Sequence, residues 1–302
     1  MGAILATKTM AAINAALEAD QGAAFRVLEG RVLPHIGDAY RGEDGGFRSH
    51  LGASMLGDEC GRKLWYGFRW SYKPNFPGRI LRLFNRGHLE EGRFIALLLM
   101  IGCEVYQQDA DGKQYRISFA EGHAGGSGDG IIIGCPDLPP GTAAVGEFKT
   151  HNEKSFRKLV AEGVRDSKFE HFVQMQLYMR KMGLAVALYM AVNKNDDDIY
   201  AEIVHLDSAF ADNFVDRGTA IVWAQEPPAK LSKSPSFFKC KWCDMKDICH
   251  NGALPEKNCR TCVYSRPAEN ATWVCGFDNH LISKQQDQIG CEFWQPHEAF
   301  RQ

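Results

Sequence analysis

Three residues in the middle of the chain have the types and spacing of a phosphodiester-cleaving centre. They are Asp129, directly after a turn, and Glu147 and Lys149 of the Glu147-Phe148-Lys149 triplet on an apolar stretch further on. Two carboxylates and the Phe148 backbone carbonyl are hard oxygen ligands, suited to Mg²⁺, which keeps several waters of its own. A lysine beside them can orient an attacking water and stabilise the charge that develops on phosphorus. Taken singly, each fragment has a plainer reading. Asp-Gly is a common turn, and Glu-x-Lys is often just a solvated strand face.

The elements that must position these groups are legible nearby. Ile131-Ile132-Ile133 and Ala143-Ala144-Val145, flanked by Gly and Pro, read as two short strands around the turn-rich segment from Cys135 to Gly141. Such a hairpin sets Asp129 and Glu147 near the same end. Strand alternation projects Glu147 and Lys149 together and turns Phe148 the other way. Gln174 and Tyr178 lie four apart on an expected helix just after the strand, so both can reach the site. By itself, Tyr178 reads equally well as a core aromatic.

In order and spacing, Asp129, Glu147-x-Lys149 and Gln174-x3-Tyr178 resemble the motifs of the PD-(D/E)XK nuclease superfamily, specifically its RecB-like branch. The resemblance covers roughly residues 51 to 250. It implies an α/β, restriction-endonuclease-like core with a mixed central sheet flanked by helices, and metal-dependent attack of water on a DNA phosphodiester. It further implies that Asp129, Glu147, the Phe148 carbonyl and Glu91 surround Mg²⁺ or Mn²⁺. Lys149 would assist the water, and Gln174 with Tyr178 would position metal-site or substrate groups.

Glu91 enters through a helix expected from Phe84 to Gly102, where His88, Glu91, Ile95 and Leu98 share one stripe. The stretch from Arg86 to Glu91 resembles the glycine-then-acid helical motif that precedes the catalytic strands in lambda-exonuclease-like and RecB-like enzymes. Glu91 is the better match to that acid by its spacing from Gly87, while Glu90 lies on a neighbouring stripe with Phe94 and Leu97, so periodicity alone does not exclude it. His88 is a further candidate ligand in an unusual position, with a simple hydrogen-bonded histidine as the alternative.

Ten cysteines in a reducing compartment point to metal rather than disulfides. Cys240-x2-Cys243-x5-Cys249 needs a fourth soft ligand, and Cys60 is the candidate. One cysteine before the core and three after it resembles the RecB-like nucleases that carry a [4Fe–4S] cluster, CRISPR adaptation nucleases among them, and implies a structural cluster here. Zinc on the same three cysteines, with His250, is the alternative. Cys259, Cys262, Cys275 and Cys291 read as a closed tetrahedral zinc site in which His280 or His297 could replace a cysteine. Cys103 and Cys135 remain as buried thiols.

From Cys60 to Arg93, eight Lys or Arg stand against Glu90 and Glu91, a local charge of +6 in a chain of net charge −2. Arg62, Lys63 and Arg69 are expected to track DNA phosphates and the interleaved Trp65 and Tyr66 to stack bases. The alternative is a solvated face over core aromatics.

With 302 residues, 45% of them hydrophobic, the chain can bury a full core. The expected divisions are a helical appendage over 1–50, the nuclease core over 51–250, closed by the Cys60 set, and a Cys-rich zinc module over 251–302. Within them, a helix is expected from Met10 to about Arg31, then a Gly-rich connection at 42–46. A hairpin over 185–204, a helix over 207–225 and the Glu226-Pro227-Pro228 linker follow Tyr178. Net charge argues neither for nor against nucleic acid. No apolar run approaches membrane-spanning length and the start lacks a signal-peptide pattern, so a cytoplasmic protein is expected, in a bacterial host if phage-encoded. Compact size without a nucleotide-binding P-loop resembles a stand-alone exonuclease of phage or mobile-element recombination. DNA ends would be its substrate and a recombination or single-strand-annealing protein its partner. An endonuclease on the same core and a non-catalytic DNA-binding module with structural metal sites are the rival readings.

Overall fold

Runs of β-branched and small apolar residues at 130–133, 143–151, 186–193 and 199–205 form the centre of a six-stranded sheet. In the computed structural model, which describes residues 2–40, 47–111 and 113–300, this sheet organises the first of two compact units. The Gly-rich connection expected at 42–46 lies outside the described residues. The first unit comprises residues 1–44, 76–117 and 127–212, the second 45–75, 118–126 and 213–302. These boundaries differ from divisions at 50 and 250. Long-range contacts, and not composition, decide which segments pack together.

In the first unit the elements are β1 (Ile4–Leu5), α1 (Thr7–Asp20), α2 (Ala23–Val32), α3 (Gly78–Met100), β2 (Glu104–Tyr106), β3 (Gly130–Ile133), β4 (Ala143–His151), α4 (Glu153–Ser167), α5 (Phe169–Met182), β5 (Val186–Asn193) and β6 (Ile199–His205). The sheet order is β1-β6-β5-β4-β3-β2. Strands β4 and β5 run parallel and the other neighbours antiparallel, so the sheet is mixed. A parallel pair requires a crossover, and α4 and α5 supply it. Strand β5 is buried at every position, as a central strand covered on both faces must be. One face, carrying Phe148, Leu188 and Met190, packs with Phe94 of α3 and Ile13 of α1. Phe94 and Phe148 stack at 5.3 Å.

Three expectations about the first unit change. The helix expected from Met10 to about Arg31 is two helices, because Gln21 and Gly22 both adopt left-handed backbone and end α1. The first forty residues are no appendage. β1 pairs with β6, the Ala6 N–H donates to Ala201 O at 3.0 Å, and Ile13, Val32 and Ile36 belong to the same core as Phe148. The Gln174 helix does not directly follow the strand either, since α4 intervenes, capped by Asn152 accepting from the Ser155 N–H at 2.9 Å. Helix α3 begins at Gly78, six residues before the expected start.

A long-range cap fixes the start of α1. Asp137, in the turn between β3 and β4, accepts from the Lys8 N–H at 3.0 Å, the Thr9 N–H at 2.7 Å and the Thr9 hydroxyl at 2.6 Å. These donors would otherwise be orphaned at a helix N-terminus.

The second unit overturns the DNA-binding reading of its aromatic helix. In Gly61–Phe68, Trp65 is 0% exposed and Tyr66 1%, with Arg62 at 7% and the following Arg69 at 1%. Arg62 donates to Pro228 O at 2.8 Å and to the Tyr66 hydroxyl at 3.1 Å. Arg69 lies over the Trp65 ring at 4.5 Å and donates to Arg260 O at 3.1 Å. Trp65 Nε1 donates to Ala224 O at 2.9 Å. Side chains so committed cannot stack bases or reach phosphates. Lys63 stays partly exposed and pairs with Asp58 at 2.7 Å.

The segment 251–302 is woven into the same core. Arg260 stacks on Trp70 at 3.6 Å, pairs with Asp287 at 2.9 Å and donates to Phe68 O at 3.3 Å and Ser49 O at 2.9 Å. Buried cations of this kind persist because each hydrogen bond and ring face offsets desolvation. Among the described residues, no helix is long and apolar enough to cross a membrane.

Candidate active site

The hairpin of β3 and β4 pairs Gly130 with Gly146, which brings Asp129 beside the Glu147-Phe148-Lys149 triplet. The Phe148 N–H donates to Asp129 Oδ2 at 2.8 Å, fixing the carboxylate on the strand. On the face opposite Phe148, Glu147 is 0% exposed and its carboxylate contacts the Lys149 ammonium. Lys149 Nζ also donates to the Phe148 carbonyl at 3.1 Å and lies 3.9 Å from Asp129 Oδ2. The ammonium therefore sits among the three oxygen groups that the sequence suggests as cation ligands.

Burial raises the Glu147 carboxyl to about 8. Lys149 opposes the rise, while Asp129 and Glu91 add to it. Burial pulls the Lys149 ammonium down, but Glu147 and Asp129 outweigh it and leave Lys149 above its ordinary value. Asp129 and Glu147 thus share the Lys149 ammonium.

Helix α3 supplies the third acid. Glu91 is raised by burial first, with His88 and Lys149 opposing and Asp129 reinforcing. Asp129 and Lys149 are thus its electrostatic neighbours. Glu90 turns elsewhere and pairs with Arg93 at 3.4 Å. His88 Nδ1 lies 3.5 Å from Glu91 Oε1, where it steadies the acid.

From α5, the Tyr178 hydroxyl donates to Ser127 O at 2.7 Å, and Gln174 Nε2 donates to that hydroxyl at 3.4 Å. Burial raises the Tyr178 hydroxyl, and the charges of Glu147 and Asp129 add to the shift. Gln174 and Tyr178 therefore adjoin the carboxylates through the backbone that leads into Asp129.

A second buried group beside the site goes beyond the motif. Tyr189 of β5 is the register partner of Glu147. Its hydroxyl lies 2.9 Å from His151 Nε2 and 3.0 Å from His171 Nδ1. Burial, reinforced by nearby lysines, lowers His151 to about 4 and His171 to about 2, so both rings are neutral at ordinary pH. The sequence carried one clue. Glu147, Lys149 and His151 alternate on a single strand face. The parallel pairing that adds Tyr189 has no local signal.

Both sets of four cysteines belong to the second unit. Cys249 is raised by burial and has Cys60 and Cys240 as electrostatic neighbours, and Cys243 likewise has Cys60. Arg62 and Lys230 act on Cys249, and Lys63 acts on Cys243, in the direction that favours thiolate. Soft thiol ligands attended by cations have the chemistry that a negatively charged metal cluster needs. Cys259, Cys262, Cys275 and Cys291 line one cavity together with His280, whereas His297 packs against Trp65 at 5.7 Å. Cys103 and Cys135 are buried thiols.

No family model matches this sequence, and no curated protein matches it. Among solved structures the chain is similar to the alkaline exonuclease LHK-Exo from Laribacter hongkongensis, in two structures, one of them in complex with dAMP. Each shows 16% identity and a TM-score of 0.42 over 57% of this chain and 86% of the other. It is also similar to SSO0001, at 16% identity and a TM-score of 0.38 over 76% of this chain and 97% of that one. Likenesses this weak decide neither the fold nor the activity of this chain.

Proposed function

We propose that this chain is a Mg²⁺- or Mn²⁺-dependent deoxyribonuclease of the RecB-like PD-(D/E)XK type that degrades DNA from its ends. The observation that carries the reading is Glu147. Its carboxylate is wholly buried, and among the described residues no donor other than the Lys149 ammonium serves it, with Asp129 and Glu91 alongside. A carboxyl held in that state keeps its proton below about pH 8, and further positive charge beside Lys149 favours its ionised form.

Asp129, Glu147, Glu91 and the Phe148 carbonyl are the groups that would hold the divalent cation, with His88 orienting Glu91. When bound, that cation supplies a Lewis acid to the scissile phosphate and to the attacking water. The chain's own residues do the rest. Lys149 gives up its place among the oxygens and keeps its proton, so its ammonium is available to orient the water and offset charge developing on the phosphate oxygens. Gln174 and Tyr178 hold the Ser127 carbonyl and thereby the approach of Asp129. The Tyr189 hydroxyl, fixed by two neutral imidazoles, braces the strand pair carrying Glu147.

In this reading Cys60, Cys240, Cys243 and Cys249 hold a structural [4Fe–4S] cluster with no redox step in the reaction, and Cys259, Cys262, Cys275 and Cys291 form a second metal-binding set. A role in phage or mobile-element recombination, beside an annealing protein, fits an end-directed nuclease.

The test is a time course of the anaerobically purified chain with Mg²⁺ or Mn²⁺ on end-labelled linear single- and double-stranded DNA, beside closed circles. Stepwise shortening with intact circles is expected. Cut circles would replace the exonuclease by an endonuclease, and no cutting by metal-replete protein would remove the nuclease reading.

A further inference from the structure

The cysteines at 259, 262, 275 and 291 have the spacing of a zinc site, but they surround a cavity of about 220 Å³. Three separate pieces of backbone present them. Cys259 and Cys262 flank a turn closed by the Cys262 N–H donating to Cys259 O at 3.0 Å, and Asn258 and Thr261 cap that turn reciprocally. Cys275 ends the strand Trp273–Cys275, which pairs with Ser265–Pro267, and its N–H donates to His280 O at 3.0 Å. Cys291 follows the helix Lys284–Ile289 across Gly290, whose φ of 69° reverses the chain. The remaining wall is largely apolar, built from Tyr264, Phe277, Ile282 and Phe293.

A single zinc ion about 2.3 Å from each of four tetrahedrally placed sulfurs draws them to roughly 3.8 Å from one another and leaves no cavity between them. No three of these thiols approach that arrangement. Among the described residues, Cys275, Asp278 and His280 are the one set of three whose ligand atoms all lie within 4.8 Å of each other. That set contains a single thiol. Its histidine is already engaged through both ring nitrogens, Nδ1 with Asp278 and Nε2 with Gln286 at 3.2 Å. Cys60, Cys240, Cys243 and Cys249 likewise fall outside the 4.8 Å limit, and their Cys240–Cys243 turn closes with the same hydrogen bond, at 3.1 Å. A four-iron cluster places each thiolate on a different iron, so its ligands stand apart around a volume that the inorganic core fills.

We infer that the cavity formed by Cys259, Cys262, Cys275 and Cys291 binds a second iron–sulfur cluster of the four-iron type instead of a zinc ion. The apolar wall lines the cluster on one side, and three separately braced elements hold its ligands. The cluster takes the place of an apolar core in a segment that has few large aliphatic residues. This inference does not depend on the nuclease reading, because DNA cleavage plays no part in its test.

The test measures iron, acid-labile sulfide and zinc per chain in the anaerobically purified full-length protein and in Cys262→Ser and Cys243→Ser. About eight irons and eight sulfides per chain, without stoichiometric zinc, are expected in the unsubstituted protein, and each variant should lose about half of both. One zinc per chain that disappears in Cys262→Ser while iron stays constant overturns the inference. Iron and sulfide unchanged in Cys262→Ser overturn it equally. Should Cys262→Ser fail to fold, Cys243→Ser decides: about four irons and four sulfides retained there support the second cluster, whereas zinc alone, or no metal, refutes it. Iron lost in Cys262→Ser but kept in full in Cys243→Ser would support the second cluster and remove the first.

Discussion

Binding of a divalent cation should become tighter as pH rises, and the structure sets where. Burial foremost, then Asp129 and Glu91, raise the Glu147 carboxyl to about 8 in the metal-free protein despite Lys149. Below that pH the carboxyl holds a proton that a cation must displace, and above it the carboxylate is already free. The apparent association constant therefore climbs about tenfold per pH unit up to 8 and then flattens, a gain of roughly fifty-fold between pH 6 and pH 8. Calorimetric titration with Mn²⁺ in the absence of DNA, in paired buffers of different ionisation enthalpy, counts the protons. At pH 7 close to one proton per cation should be released. Lys149→Met sharpens the test, because the ammonium competes for the same oxygens, 3.1 Å from the Phe148 carbonyl and against Glu147. That variant should fail to cleave, and because Lys149 holds the Glu147 carboxyl down, its affinity should keep climbing above pH 8 where the unsubstituted protein flattens. A flat affinity between pH 6 and pH 8 with no proton release, or a Lys149→Met that flattens at a lower pH, would refute the reasoning.

Lys149→Ala should lower the rate of DNA cleavage by about 10²- to 10⁴-fold while leaving DNA affinity within a few-fold, as single-turnover assays beside binding titrations would register. Trp65→Ala should cost about 3–5 kcal/mol of stability in denaturant unfolding, with DNA affinity of the folded protein unchanged, because Trp65 is core. Asp137→Ala should cost about 1–2 kcal/mol through loss of the α1 cap. Burial pushes the Asp137 carboxyl up, but the Thr9 and Lys8 donors outweigh it and hold it low. The wild-type advantage over Asp137→Ala is therefore full above pH 4 and fades as acid protonates the carboxyl in the fold.

Local periodicity made the hairpin of Asp129 and Glu147 legible. Alternation placed Glu147 and Lys149 on one face, whereas periodicity left Glu90 open and the resemblance to the glycine-then-acid motif favoured Glu91. Tyr189 escaped because a parallel pairing between strands about forty residues apart leaves no short-range pattern, and His171 because only the packing of α5 brings it to Tyr189. The break at Gln21 and Gly22 was signalled by a glycine yet hidden by apolar spacing that continues across it. The aromatic, basic stretch misled for a plain reason: stacked cations in a core and a nucleic-acid surface draw on the same residue types. Arg69 over Trp65 and Arg260 over Trp70 reveal the difference only once segment 251–302 is in place.

The second unit is written in three separated passages of sequence, 45–75, 118–126 and 213–302. On the ribosome, Trp65, Tyr66 and Trp70 emerge long before Arg260 and Asp287 can cover or brace them. At about 5–20 residues per second the interval is roughly ten to forty seconds. Cys60 waits beside them for thiols that have not yet been made. The nascent chain is therefore most exposed to aggregation and oxidation at its aromatic helix, and under the proposed cluster assignment metal loading comes after the last segment has been synthesised.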